Sequence, residues 1–354
     1  MKVFGVVMAG GGGTRFWPLS RRETPKQLLN LSGKDVMVNE TIARLTRVAA
    51  AEDVYIVTNR TQAEKMASVT AGRIPSANIL REPAARNTAA CIGYAAMRLK
   101  TLCGDGVMIV TPSDAYIRDE AEYARILQTA VRAAEGEDAL VTVGITPTFP
   151  ATGYGYIHFE REGGAVKKVR KFVEKPDLAT AERYVKSGEY VWNSGVFVWK
   201  ASVILEKFRT LLPELYAGLE KIAAAIGTPR EGDVLNEVYP NLPSVSVDYG
   251  IMERSGDILV VPGEFGWNDV GSWDMMNVLH PEDENGNIAL GDALLVDSKN
   301  TTVYSGGRLV AVVGAEGLVV VETPDAVMVC PKERAQDVKQ LVDALKERKR
   351  TDVL

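Results

Sequence analysis

The chain has 354 residues, of which 46% are apolar and 25% charged, with a formal net charge of −5. At about 150 residues per domain this length predicts two domains and a core large enough to need no disulfides. The negative balance argues against a protein whose main task is gripping nucleic-acid phosphates, and the three scattered cysteines, Cys91, Cys103 and Cys330, form neither a metal pattern nor a disulfide framework.

No apolar run reaches the roughly 20 residues needed to span a bilayer, so no membrane association is expected. The opening Val3–Met8 is too short for a signal peptide and runs straight into Gly10–Gly13, so it reads as a buried first strand. With unpaired cysteines, this predicts a reducing, cytoplasmic location. Val54–Thr58, Val107–Thr111 and Ala139–Gly144 repeat the strand type. Helical spacing marks Val36–Ala49, a segment capped by Asn87 and carrying Ile92, Ala95, Ala96 and Leu99, and Glu120–Ala134. Alternation of this kind predicts an α/β fold, a Rossmann-like, mostly parallel sheet with helices on both faces. Ligands in such sheets lie at the carboxyl ends of strands.

From about residue 150 to 280 the pattern loosens, with strands expected at Tyr154–Phe159, Val166–Glu174 and Val191–Trp199 and helices at Ala179–Lys186 and Ala201–Ile226. The polar cluster Pro281–Asn287 marks a boundary, giving domains 1–280 and 281–354. Beyond it, short Gly-punctuated strands at Ala293–Asp297, Thr301–Tyr304, Leu309–Val313, Leu318–Val321 and Ala326–Val329 predict a small β domain. No clean six-residue repeat imposes a β-helix. From Glu333 onward, Ala335, Val338, Leu341, Val342 and Leu345 predict a docked terminal helix with a solvated basic end, Lys346–Arg350.

The strongest chemical signal follows the first strand: Gly10-Gly11-Gly12-Gly13-Thr14-Arg15-Phe16-Trp17-Pro18-Leu19-Ser20, then Pro25-Lys26-Gln27. Consecutive glycines leave backbone N–H groups bare to wrap phosphate oxygens, and Arg15 and Lys26 add positive charge. No Lys-Ser or Lys-Thr follows the glycines, and Arg15 and Phe16 stand where the last Gly of G-x-G-x-x-G would be. The loop is therefore neither a P-loop nor a dinucleotide fingerprint. Asp114, just past the third strand, suits Mg²⁺, which takes one or two carboxylates plus substrate phosphates. The two histidines, His158 and His280, are too few for a His-rich metal site and read as strand and turn residues.

Gly-Gly-x-Gly-Thr-Arg followed by Pro-Lys resembles the signature of sugar-nucleotide pyrophosphorylases, and with Trp17-Pro18-Leu19-Ser20-Arg21 it resembles the mannose-1-phosphate guanylyltransferases among them. Further blocks agree in order: Glu82-Pro83-Ala84-Ala85-Arg86-Asn87-Thr88, Pro112-Ser113-Asp114, Thr152-Gly153-Tyr154-Gly155-Tyr156, Phe172-Val173-Glu174-Lys175-Pro176, Trp192-Asn193-Ser194-Gly195, Asp248-Tyr249-Gly250-Ile251-Met252-Glu253 and Asp269-Val270-Gly271-Ser272-Trp273. The resemblance implies transfer of GMP from GTP to mannose 1-phosphate. Gly10, Gly11, Gly12, Gly13, Thr14, Arg15 and Lys26 would hold the triphosphate. Asp114 and Asp269 would hold Mg²⁺. Glu82, Arg86 and Asn87 would flank the base. Tyr154, Gly155, Glu174 and Asn193 would meet the sugar, and Lys175 its phosphate. The family commonly has His at Ala115 and Ser at Asn268. It also implies a homodimer through the C-terminal domain and, without room for an appended isomerase domain, a single activity. A pyrophosphorylase of another base or sugar, a non-catalytic nucleotide-sugar sensor and a molybdopterin guanylyltransferase are the competing readings. Lys175 is expected to serve the phosphate of any sugar, and Glu174 to choose the sugar.

Overall fold

The computed structural model describes residues 1–162 and 164–354. Val3–Met8 pairs in parallel with Val54–Asn59 on one side and Val107–Pro112 on the other. A strand flanked on both sides and covered on both faces has no polar face, which explains its unbroken apolar run. In order, the main sheet runs Ile79–Glu82, Val54–Asn59, Val3–Met8, Val107–Pro112, Tyr190–Lys200, Leu140–Ile145, Ile258–Gly263, Lys167–Val173, Tyr156–Phe159, and the last strand also pairs back onto Tyr190–Lys200. Only Tyr190–Lys200 and Lys167–Val173 oppose the common direction among the described residues. The sheet is thus mostly parallel, as expected.

Alternation along the strands divides the core into two layers. Phe4, Val6, Met108 and Val110 face the helices Asn87–Cys103, Ala201–Leu211 and Pro213–Ala223. Val7, Val107, Ile109 and Val141 face Met37–Leu45 and Glu120–Gly136. The single helix expected at Ala201–Ile226 is two, because Pro213 lacks an N–H and forces Leu212 out of helical geometry (φ −135°, ψ 59°). Asn87 does not cap its helix as expected. Its φ is +63°, its side-chain oxygen accepts only from the adjacent Thr88 N–H, and Arg86 holds the cap position without a side-chain bond. Among the described residues no helix is long and apolar enough to cross a membrane.

The C-terminal part is a β-helix-like coil. Ile288–Leu290, Thr302–Ser305 and Leu318–Thr323 stack in parallel, as do Ala293–Val296 and Val310–Val313. The stacked partners Ile288, Thr302 and Val319 are unevenly spaced along the chain, so no six-residue repeat is visible. Ala326–Pro331 closes the stack in antiparallel fashion. A third apolar cluster joins this part to the start of the chain: Phe16, Trp17 and Met37 pack with Trp273, Val319, Val338 and Val342. Leu341, counted on the apolar stripe of the terminal helix, is exposed instead.

Candidate active site

The glycine loop leaves the carboxyl end of the first strand with its backbone open to solvent at Gly10, Gly11 and Gly12. Its base is fixed: Gln27 Nε2 donates to the carbonyls of Ala9 (2.9 Å) and Gly11 (3.0 Å). Gly13 has φ +58°, and a Cβ there would lie 2.4 Å from Lys26 Cβ, so the position demands glycine. The following turn, Thr14–Phe16, buries Phe16 against Trp273 and turns Arg15 outward along a cleft of about 570 Å³.

Lys26 does not face solvent as its loop position predicts. Its side chain is only 6% exposed, and Nζ donates to the carbonyl oxygens of Asp114 (2.9 Å) and Asp269 (2.5 Å) while pairing with Asp114 Oδ2 (3.0 Å). An ammonium has three donors, and all three are engaged. In this structure Lys26 has no donor left for a triphosphate. It fastens two loops that are far apart in sequence, and so sets Asp114 and Asp269 in one cleft. Ala115 contributes through its backbone, its carbonyl accepting from Arg44 Nη2 (2.9 Å).

Asp269 has a second partner. The Tyr154 hydroxyl donates to Asp269 Oδ1 at 2.7 Å, and burial together with that carboxylate holds the phenol far above its usual pKa. The tyrosine ring, not only its backbone, therefore shapes the site. Each aspartate is left with one oxygen outside these contacts. Among the described residues no three metal-ligating side chains converge.

The wall read as sugar-binding is acidic. Glu174 lines the cleft, and its Oε2 is buried without a hydrogen-bond partner. A Cβ on Gly155 would lie 2.4 Å from that oxygen, so the glycine leaves the carboxylate room to sit where it does. Asn193 Nδ2 donates to Asp248 Oδ1 (2.9 Å). Lys175 is not part of the cleft's lining. The chain turns at Lys175 itself (φ +45°), and Nζ folds back onto Glu174 Oε1 (2.7 Å), with the side chain half exposed.

Asp248, which no motif assigned a role, has its carboxyl pushed up to about 6, by burial first and by the Glu174 charge second. An acid raised in the folded state contributes stability that is present below its ordinary pKa and lost as pH rises through the folded value. The ligand-free protein is therefore expected to lose about 3 kcal/mol of stability from this group between about pH 4 and 7. The urea midpoint of Asp248→Asn, measured against the unaltered chain across that range, should lack this component. Parallel pH profiles for the two proteins would show that Asp248 does not cause it.

The residues read as flanking the base stand outside the cleft's lining. Glu82 is buried behind the glycine loop, where its carboxylate accepts from the Tyr239 hydroxyl and its Oε2 lies 3.2 Å from where a Gly10 Cβ would sit. Burial raises its pKa. Neither Arg86 nor Asn87 lines the cleft, although their neighbour Thr88 does. Both histidines are structural: His158 stacks on Tyr190, and His280 Nε2 lies 2.6 Å from the Leu31 carbonyl.

Comparison with known proteins supplies the family. Residues 4–286 match the nucleotidyl transferase family model, and residues 291–345 match the MannoseP isomerase/GMP-like beta-helix domain. The chain is 44% identical to the xanthan biosynthesis protein XanB of Xanthomonas campestris, covering 99% of this chain and 74% of that protein. It is 38% identical to the mannose-1-phosphate guanylyltransferase of Escherichia coli, covering 98% and 74%. A solved structure described as a mannose-1-phosphate geranyltransferase from Thermus thermophilus superposes with a TM-score of 0.89 at 36% identity, covering 98% of this chain and 100% of that one. The chain belongs to the nucleotidyl transferase family and groups within it with the mannose-1-phosphate guanylyltransferases.

Proposed function

We propose that this protein transfers GMP from GTP to α-D-mannose 1-phosphate, forming GDP-mannose and releasing pyrophosphate. The observation that carries the reading is one cleft lined by three things together: Gly13, Thr14 and an outward Arg15 at the end of the glycine loop, two aspartates fastened by one lysine, and the polar wall of Glu174, Asn193 and Asp248. The attacking sugar-phosphate oxygen is already an anion, so no general base is needed. The barrier lies in bringing anions together, and positioning and electrostatics dominate. The loop amides and Arg15 hold the triphosphate. Lys26 acts as a positioning residue. The bulk of residues 1–280 supplies these groups, and residues 281–354 brace the loop from behind through the shared apolar cluster.

A divalent ion, for which we propose Mg²⁺, fits the donor set. Asp114 and Asp269 each keep one oxygen outside the Lys26 and Tyr154 contacts, and an ion that takes few carboxylates plus phosphates needs no third protein ligand. When bound it supplies neutralisation of phosphate charge.

In this reading Glu174 meets the sugar, and Lys175, which lies off the cleft's lining with Nζ on Glu174 Oε1, exchanges that carboxylate for the sugar's phosphate when the substrate binds. An ionised carboxylate only accepts and so reads hydroxyl positions, whereas an ammonium only donates and serves the phosphate of any sugar. Glu174→Gln is expected to narrow the preference for mannose over glucose 1-phosphate, because a site-built hydrogen bond discriminates strongly. Lys175→Ala should lower kcat/KM for both sugars by a similar factor. A larger change in the sugar ratio for Lys175→Ala than for Glu174→Gln would reverse the assignment.

The function itself is tested by a matrix of four nucleoside triphosphates against several sugar 1-phosphates, followed by pyrophosphate release. The highest kcat/KM is expected for GTP with mannose 1-phosphate. A different best pair would identify a pyrophosphorylase of another specificity, and no release with any pair would favour a sensing role.

A further inference from the structure

We propose that the C-terminal helix belongs to the same site, and that Lys339 binds the β- and γ-phosphates of the triphosphate and hence the departing pyrophosphate. This rests on the transferase reading above. Lys339 is the second residue of the helix Val338–Glu347 and lines the cleft together with Arg15, Asp114, Asp269 and Gly271. The cations lining the cleft, among the described residues, are Arg15, Lys26 and Lys339. Lys26 has all three donors engaged on Asp114 and Asp269. Arg15 and Lys339 are exposed and, among the described residues, have no hydrogen-bond or ion-pair partner. The same cleft carries the carboxylates of Asp114, Glu174, Asp248 and Asp269. A polyanion entering it needs counter-charge, and these two side chains are free to provide it.

The helix is held in register with the glycine loop. Its neighbours Val338 and Val342 are buried in the cluster that contains Phe16 and Trp17. Gln336 Nε2 donates to Ser272 Oγ (2.6 Å) just before it, and after it the Trp17 indole donates to the Val353 carbonyl (2.7 Å). Trp273 Nε1 in turn donates to the Trp17 carbonyl (3.2 Å). The helix is thereby held against Thr14–Phe16, the end of the cleft read as holding the triphosphate, and Lys339 lines the cleft from its first turn.

The test uses the full chain with Lys339→Ala, Lys339→Arg and Lys339→Glu. Calorimetry measures binding of pyrophosphate with Mg²⁺, and steady-state kinetics measure KM for GTP and for mannose 1-phosphate. Lys339→Ala is expected to weaken pyrophosphate binding and raise KM for GTP about 10-fold, as loss of one charge-assisted contact predicts. Lys339→Glu should be worse and Lys339→Arg near the unaltered protein, with KM for mannose 1-phosphate unchanged throughout. Unchanged pyrophosphate affinity in Lys339→Ala, or an equal rise in KM for mannose 1-phosphate, overturns the proposal. Failure of the unaltered chain to transfer any nucleotidyl group overturns instead the reading beneath it, and the pyrophosphate titrations then still decide whether Lys339 holds that anion.

Discussion

Lys26→Ala is expected to lower turnover by about 10²-fold and to destabilise the protein by about 1–3 kcal/mol. The first figure is the scale on which a misplacement of about 1 Å slows a reaction, since Lys26 acts by positioning Asp114 and Asp269 rather than by touching phosphate. The second follows from the enclosed ammonium: its removal leaves the carbonyls of Asp114 and Asp269 without their donor, while the Asp114 carboxylate, about a third exposed, is rehydrated. A lysine reaching out of a surface loop would show only the kinetic loss. Lys26→Met preserves the packing over Phe16, 5.9 Å away, and separates the terms. It should lose turnover like the alanine variant while recovering part of the stability. Urea unfolding alongside kcat decides the matter. An alanine variant as stable as the unaltered chain would mean that the fastening of the two loops contributes nothing.

The second large effect concerns the carboxylates. Asp114→Asn and Asp269→Asn are each expected to reduce kcat/KM by about 10³ or more while leaving the fold intact, because Lys26 is bound by both backbone carbonyls, which asparagine retains. Residues that act as one unit are strongly non-additive. The double variant should therefore be little worse than either single one. Multiplication of the two factors would show that the aspartates work separately. Activity should also disappear with a chelator and return with Mg²⁺, and a single Asn variant that kept both its rate and its metal dependence would remove that residue from the ligand set.

Much of the fold was legible because its central strands carry apolar residues on both faces. Val3–Met8 and Val107–Pro112 read correctly for that reason. Ile79–Glu82 escaped because it is a four-residue edge strand with Arg81 exposed, and Ile258–Gly263 because Pro262 interrupts a run that tertiary pairing with Leu140–Ile145 nevertheless accepts. The C-terminal coil stayed ambiguous since its stacked partners are unevenly spaced. At the candidate site, the glycine loop announced itself through backbone chemistry, which is local. What could not be read were the long-range partners. Nothing near Lys26 in sequence shows that its ammonium reaches Asp269, and nothing near Tyr154 shows that its hydroxyl does. Asp248 stands in a motif that names no role for it, and its raised pKa comes from burial first and the charge of Glu174, distant in sequence, second. Lys339 sat on a helix whose apolar stripe explained its docking and hid the one side chain facing the cleft.

The fate of the α-phosphate tests the central claim most directly. With mannose 1-phosphate and GTP labelled at the α-phosphorus, the account predicts that all transferred label appears in the sugar nucleotide, whereas label at the γ-phosphorus appears only in pyrophosphate. Label from the γ-position in the sugar product, or as inorganic phosphate, would show attack at a different phosphorus and contradict the account.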